Sequence, residues 1–144
     1  MYHTDKVDIH YCNMCSRLFV LANERGYDSI KFIERLMKSD IATHLFDNED
    51  SSIWIGETYV MGVVDDELHF VQGDTIDNDI MEWIGYLFKY WSYLTGELPS
   101  DIMEQAPVQT LIDSYTGLHC LSCEMAVEDL KELYIENKKW QENE

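Results

Sequence analysis

Residues 79–96, DIMEWIGYLFKYWSYLTG, decide the fold class of this chain. The stretch follows Asp77, a residue type that commonly caps helices, and it ends at Gly96, a typical helix stop. Its apolar side chains recur at the 3.6-residue period of an α-helix and cover nearly the whole circumference. Such a helix lies at the centre of a helical bundle, or else its second face is an interaction surface.

The apolar residues of this helix divide into a core stripe and a second face. The core stripe consists of Ile80, Ile84, Leu87, Trp91 and Leu94. Gly85 lies beside the stripe, although glycine costs about 1 kcal/mol relative to alanine in a helix. Its presence therefore predicts that another backbone or an aromatic ring packs closely at this position.

Further helices are bounded by residue types that commonly start or end helices. The predicted starts are Thr4, Asp28, Ser39, Ser100, Pro107 and Ser122, and the predicted stops are Gly26 and Gly117. The first of these helices covers residues 5–25. Residues 137–144 are polar, and we expect this tail to fray.

The segment 53–75, IWIGETYVMGVVDDELHFVQGDT, is compatible with two structures. Its β-branched and aromatic residues favour a hairpin that turns at Asp65 and Asp66, whereas Val60, Met61 and Val64 fit a helix. We favour a helix for its first part. The sequence thus predicts a mainly α, compact single-domain bundle of five to six helices over residues 1–136, with a short β-hairpin near 58–71 as the alternative.

Charge is distributed very unevenly along the chain. The formal net charge is −18, and residues 39–130 contain nineteen acidic residues but one basic residue, Lys89. Proteins that bind phosphates need lysine and arginine on one face, so direct binding to nucleic acid or to anionic membranes is excluded. The acidity serves either solubility alone or the recognition of a basic protein partner.

Neither a signal peptide nor a membrane-spanning stretch is visible, so we expect a cytoplasmic protein. In that compartment the four cysteines are expected to be thiols. Two Cys-x-x-Cys pairs, Cys12 with Cys15 and Cys120 with Cys123, could supply four thiolates to zinc, although small buried side chains are the alternative. The second pair could also act in redox chemistry, because a helix start lowers the pKa of a thiol. The sequence contains neither a nucleophile–base pattern nor a phosphate-binding loop that would indicate an enzyme, and we expect no cofactor.

Acidic residues adjoin the aromatic helix, and this combination favours a basic partner. We expect Trp83, Leu87 and Trp91 to lie in the core, which leaves the tyrosines on the outer face. The predicted partner-binding residues are Asp65, Asp66, Glu67, Asp74, Asp77, Asp79, Glu82, Tyr86, Tyr90 and Tyr93.

Several stretches of the chain resemble a group of small, mostly uncharacterised acidic bacterial proteins. These stretches are WIGYLFKYWSYLTGE (83–97), MKSDIA (37–42), QAPVQT (105–110), the spacing of Tyr115 and His119, and AVEDLKE (126–132). Genes of that group tend to lie beside genes of ADP-ribosyltransferase-like toxins in toxin–antitoxin cassettes. The resemblance implies an antitoxin or accessory role, and it supplies no catalytic residues.

The sequence therefore favours a non-enzymatic, antitoxin-like inhibitor that covers a basic surface of a co-encoded toxin. One alternative is a nucleic-acid mimic from a phage or mobile element that inhibits a restriction or CRISPR nuclease. A second alternative is a zinc- or thiol-dependent enzyme or sensor that uses the four cysteines.

Overall fold

A computed structural model describes residues 7–142, and over these residues the chain forms eight α-helices. In chain order the helices are α1 (Ile9–Glu24), α2 (Ser29–Lys38), α3 (Asp40–Leu45), α4 (Glu57–Leu68), α5 (Asn78–Thr95), α6 (Pro99–Gln105), α7 (Val108–Leu118) and α8 (Cys123–Glu142). The predicted mainly α fold is confirmed. The predicted five to six helices are too few, because the short segments α3 and α6 are separate helices.

The core is built around α5, as its apolar circumference predicts. Ile84, Leu87 and Trp91 are fully buried, and Leu94 is nearly so. The helix packs most extensively against α1. At Gly85 the two helices meet so closely that an added Cβ atom would lie 2.9 Å from the Cys15 carbonyl oxygen. The expectation that a backbone packs against this glycine is therefore confirmed.

The hairpin considered near 58–71 does not form. Residues Glu57–Leu68 are helix α4, which buries Val60, Met61 and Val64 on one face. His69 ends the helix in the left-handed region, with φ of 53°. Over the described residues the β-structure is a single isolated bridge between Tyr27 and Gln72. Burial of the helical stripe outweighs the β-propensity of the individual residues.

Helix boundaries follow the predicted caps in most places. Asp28, Ser39 and Asp77 each accept a hydrogen bond from the first turn of their helix. Asp8 caps α1, so that helix starts at Ile9 rather than at residue 5, and the predicted cap Thr4 lies outside the described residues.

Three boundaries near the end of the chain differ from the prediction. Pro99 rather than Ser100 starts α6, because proline is well suited to the first turn of a helix. Pro107 precedes α7 instead of starting it, and α7 continues through Gly117 to Leu118. Helix α8 ends at Glu142 and includes residues 137–142, which are exposed; the fraying that we expect of this tail stays a prediction.

The segment between α4 and α5, residues 69–77, is fixed to the start of α2. The amide of Ser29 donates to the Asp74 carbonyl oxygen at 3.0 Å. The buried Ser29 hydroxyl accepts from the Ile76 amide at 2.9 Å and donates to Asn23 Oδ1 at 2.6 Å. These bonds set the position from which α5 begins. Among the described helices none is long and apolar enough to cross a bilayer.

Candidate partner-binding site

Helices α1, α5 and α7 together form a surface cleft of about 260 Å³. Its lining combines three aromatic rings, an imidazole, two carboxylates and a serine: Trp83, Tyr86, Tyr115, His119, Asp79, Glu82 and Ser16. We refer to these seven residues as the aromatic cleft. Of the predicted partner-binding residues, Asp79, Glu82 and Tyr86 lie here together.

Helical spacing explains how these side chains share one cleft. Asp79, Glu82, Trp83 and Tyr86 stand at intervals of three and four residues along α5, which places them on the same face. Tyr115 and His119 are four residues apart at the end of α7. The two helices therefore each contribute one wall.

The rings of the cleft contact one another in defined geometries. Trp83 and Tyr115 meet edge to face, with ring centroids 5.5 Å apart and planes at 76°. Tyr115 and His119 are stacked, with centroids 4.2 Å apart and planes at 8°. Tyr86 in turn stacks on Tyr90 at 6.2 Å. Because each ring supports its neighbour, the cleft is held in shape without a ligand.

At the base of the cleft, a hydrogen bond fixes α1 against α5. Ser16 is 5% exposed, and its hydroxyl donates to the Glu82 carbonyl oxygen at 2.9 Å. Gly85, one turn further along α5, allows the close approach of α1. The side chains of Asp79 and Glu82 are thereby presented from a rigid support.

Asp79 and Glu82 give the cleft a negative charge, and neither carboxylate forms an ion pair within residues 7–142. The ion pairs found within residues 7–142 are Arg17 with Glu57 and Lys131 with Glu97. Desolvation raises the pKa of Tyr115, and the negative charges of Asp79 and of the nearby Asp77 raise it further. Both features indicate a site suited to a cationic group.

The two remaining tyrosines of the prediction differ in position. Tyr90 is half-buried beside the cleft, where it stacks on Tyr86. Tyr93 does not line the cleft: its ring centroid lies 5.1 Å from the Nζ atom of Lys89, and desolvation raises its pKa. Tyr93 is half-buried, and a role for it in partner binding stays a prediction.

The other predicted acidic residues are not brought to the aromatic cleft. Asp65 accepts hydrogen bonds from the Tyr27 hydroxyl and the Phe70 amide, so it joins α4 to its surroundings. Asp77 caps α5. The remaining three, Asp66, Glu67 and Asp74, are exposed on α4 and on the segment that follows it. The acidic set is thus spread over several elements.

Lys89 is almost fully buried, at 1% exposure, which we did not predict from the sequence. Its Nζ atom donates to the Leu45 carbonyl oxygen at 2.8 Å and to Asn48 Oδ1 at 3.0 Å. It also lies 5.4 Å from the ring centroid of Phe46 and 5.7 Å from that of Trp54. Desolvation lowers the pKa of Lys89.

The burial of Lys89 changes the charge on the protein surface. This residue is the one lysine or arginine among residues 39–130, which also contain nineteen acidic residues. Its charge is enclosed by carbonyl oxygens and aromatic rings, so this part of the chain exposes no lysine or arginine. The surface of this part of the chain is therefore more uniformly negative than the number of acidic and basic residues in the sequence indicates.

Glu97 is the centre of a polar network that joins α5, α6 and α8. It accepts hydrogen bonds from the Trp91 indole at 3.0 Å and from Gln105 and Lys131 at 2.5 Å each. Burial acts to raise the pKa of Glu97, but these hydrogen bonds outweigh it and hold the pKa at about 2. Three of the stretches that carry the family resemblance meet in this network.

The four cysteines do not converge on a metal site. Cys12 and Cys15 are fully buried, whereas Cys120 is exposed. Within residues 7–142 no group of three or more histidine, cysteine or acidic side chains is placed to hold a metal ion. Burial raises the pKa of the Cys123 thiol to about 11, so the lowering that we expected from its helix start is not found at this residue.

Two contributions to the cleft were missed from the sequence. We placed Trp83 in the core, but it is half-exposed and lines the cleft. Tyr115 and His119 were not among the predicted site residues. The signal for Trp83 was present in the sequence, since Trp83 lies one helical turn from both Asp79 and Tyr86. The spacing of Tyr115 and His119 places them on one helix face but does not show which helix that face contacts.

Fold and cleft together define an all-helical domain with an acidic, aromatic-lined surface site. Comparison of the chain with protein-family models, curated proteins and solved structures found no significant match.

Proposed function

We propose that this protein is a non-enzymatic binding protein, an antitoxin-like inhibitor that covers a basic surface of a protein partner. The observation that carries the proposal is the aromatic cleft, in which Asp79 and Glu82 adjoin Trp83 and Tyr115. Aromatic side chains contribute most of the binding energy at many protein interfaces, and unpaired charges increase the rate of association.

The surface charge supports the same proposal. A protein that exposes many carboxylates and no lysine or arginine over residues 39–130 repels polyanions and attracts basic surfaces over distances of about 8–10 Å at physiological salt. The family resemblance of the sequence supports a partner of the ADP-ribosyltransferase-like toxin class. Such a partner is inhibited when its basic surface is covered.

Growth rescue tests this function. The toxin encoded beside this protein, expressed alone, is expected to stop growth, and co-expression of this protein is expected to restore it. The double variant Asp79→Lys, Glu82→Lys is expected to lose rescue, because two charges of the aromatic cleft are reversed. Asp77 is left unchanged because it caps α5.

The matched control is Asp101→Lys with Glu104→Lys in α6. Both control residues are exposed, and Asp101 resembles Asp79 in standing in the first turn of its helix. Helix α6 follows the far end of α5, away from the cleft. Loss of rescue in the cleft variant alone supports the proposal. Rescue by both variants, or an equal loss in both, contradicts a role of the cleft.

A nucleic-acid mimic is the second candidate, because a mainly negative surface can also bind a nuclease whose basic surface normally binds phosphates. The two candidates differ in the partner that co-purifies. Affinity purification from the native host is expected to recover the co-encoded toxin. Recovery of a restriction or CRISPR nuclease instead would replace the antitoxin proposal.

A further inference from the structure

We infer that the aromatic cleft receives one arginine side chain of the partner. This inference rests on the proposed function, because it names the chemical group that enters the site. The guanidinium group stacks on the rings of the cleft while its N–H groups donate to the carboxylates of Asp79 and Glu82. Arginine is thus the anchor of the interface, and the remaining acidic surface steers the partner.

The shape of the cleft suits a single side chain. At about 260 Å³ it is smaller than the roughly 300–1,000 Å³ typical of pockets for drug-sized ligands. Trp83, Tyr86 and Tyr115 provide flat apolar surfaces, and each ring is braced by another ring. A planar group can enter against such walls without requiring them to rearrange.

The charge of the cleft selects a cation. Asp79 and Glu82 pair with no cation within residues 7–142, and the side chain of neither donates or accepts a hydrogen bond there. Arg17 lines a neighbouring depression that also includes Glu82. Arg17 is engaged with Glu57 at 3.5 Å. The two carboxylates lie beside the faces of aromatic rings and can therefore bind a positively charged group.

Arginine fits this arrangement better than lysine. Its guanidinium is planar, stacks on aromatic rings and offers several donors in a fixed fork, whereas the ammonium of lysine is compact and strongly hydrated. Asp79 and Glu82 stand three residues apart on one helix face, where a fork can reach two separate carboxylates. The structure contains a contrasting site for an ammonium group at Lys89, where carbonyl oxygens supplement the rings.

A peptide titration tests the inference without the partner. The blocked tripeptides acetyl-Gly-Arg-Gly-amide and acetyl-Gly-Lys-Gly-amide are titrated into the ¹⁵N-labelled protein, and the four tryptophan indole signals are followed by NMR. Only the Trp83 signal, assigned with Trp83→Phe, is expected to move. Trp54 and Trp91 donate their indole N–H inside the protein, so their signals serve as internal controls.

The arginine peptide is expected to bind at least roughly three-fold more tightly than the lysine peptide. Tyr115→Leu and Glu82→Gln are each expected to weaken its binding roughly two- to five-fold, whereas the control Glu104→Gln leaves it unchanged. Equal affinities for the two peptides, or a Trp83 signal that does not respond, would overturn the inference.

The titration and the rescue experiment fail independently. If the peptide does not bind but rescue still depends on Asp79 and Glu82, the proposed function stands and the arginine anchor is wrong. If the peptide binds at the cleft but the wild-type protein does not rescue growth, the arginine site stands and the proposed function is wrong.

Discussion

Replacing Gly85 by alanine tests the packing on which the whole fold and the base of the cleft depend. The new Cβ atom would lie 2.9 Å from the Cys15 carbonyl oxygen, 2.9 Å from Phe19 Cγ and 3.0 Å from Ser16 Cα. Two of these three atoms belong to the backbone of α1, so a rotamer change cannot relieve the overlap. Helices α1 and α5 have to separate.

The size of the effect follows from two opposing terms. Overpacking of a core costs up to about 3 kcal/mol, while exchanging glycine for alanine in a helix contributes about 1 kcal/mol of stability. The free energy of unfolding of Gly85→Ala is therefore expected to fall by about 2 kcal/mol. With a typical dependence on urea, the unfolding midpoint moves down by about 1 M.

Gly62 provides a matched control in the same protein. It lies inside α4, is exposed, and has no heavy atom within 4 Å of an added Cβ. Gly62→Ala gains the same helix propensity without an overlap, so its free energy of unfolding is expected to rise by about 1 kcal/mol. Urea unfolding followed by circular dichroism measures both variants. A Gly85→Ala midpoint at or above that of the wild type would refute the proposed close packing.

Two further predictions concern the charged residues that are tied into the structure. Glu97→Gln is expected to lower the free energy of unfolding by about 2 kcal/mol at pH 7, because Glu97 accepts a charged hydrogen bond from Lys131. The pKa of folded Glu97 is about 2, so its contribution to the free energy of unfolding is present above the unfolded pKa of about 4.3 and disappears as the pH falls toward 2. If the difference between Glu97→Gln and the wild type in urea unfolding stays constant down to pH 2, this expectation is contradicted. Lys89→Met is expected to stabilise the protein by about 1 kcal/mol at pH 7, because a desolvated charge is removed. The gain is expected to shrink as the pH rises from the lowered pKa of folded Lys89 to 10.5, above which this residue is neutral in the folded and the unfolded protein. Destabilisation at pH 7 in thermal or urea unfolding would show that its hydrogen bonds outweigh desolvation.

Periodicity and caps were sufficient to predict most of the helices. The apolar circumference of α5, with Asp77 before it and Gly96 after it, specified the central helix directly. The segment 53–75 was harder, because β-branched residues fit both a strand and a buried helix face. Whether this segment forms a helix depends on whether Val60, Met61 and Val64 can pack into a core on one side. That is a property of the tertiary structure, and local propensity does not determine it.

The site was predictable in part. Spacing within α5 places Asp79, Glu82 and Tyr86 on one face, and these residues do lie together. The wall contributed by Tyr115 and His119 depends on how α7 docks against α5, which no local pattern encodes. The burial of Lys89 was not predicted for a related reason. Lysine is usually found at the surface, but aromatic rings and carbonyl oxygens enclose this one.

The polar and aromatic residues at the ends of α5 fall into two groups with different physical roles. Glu97, Gln105 and Lys131 bind one another and join three helices, so folding alone accounts for them. Trp83 and Tyr115 have a different position, because both line an open cleft beside unpaired carboxylates. Core packing does not require a half-exposed tryptophan there, and solubility does not require aromatic rings at all. A site for a cationic group can use both, and for this reason we propose that the partner binds at the cleft rather than through the acidity of the whole surface.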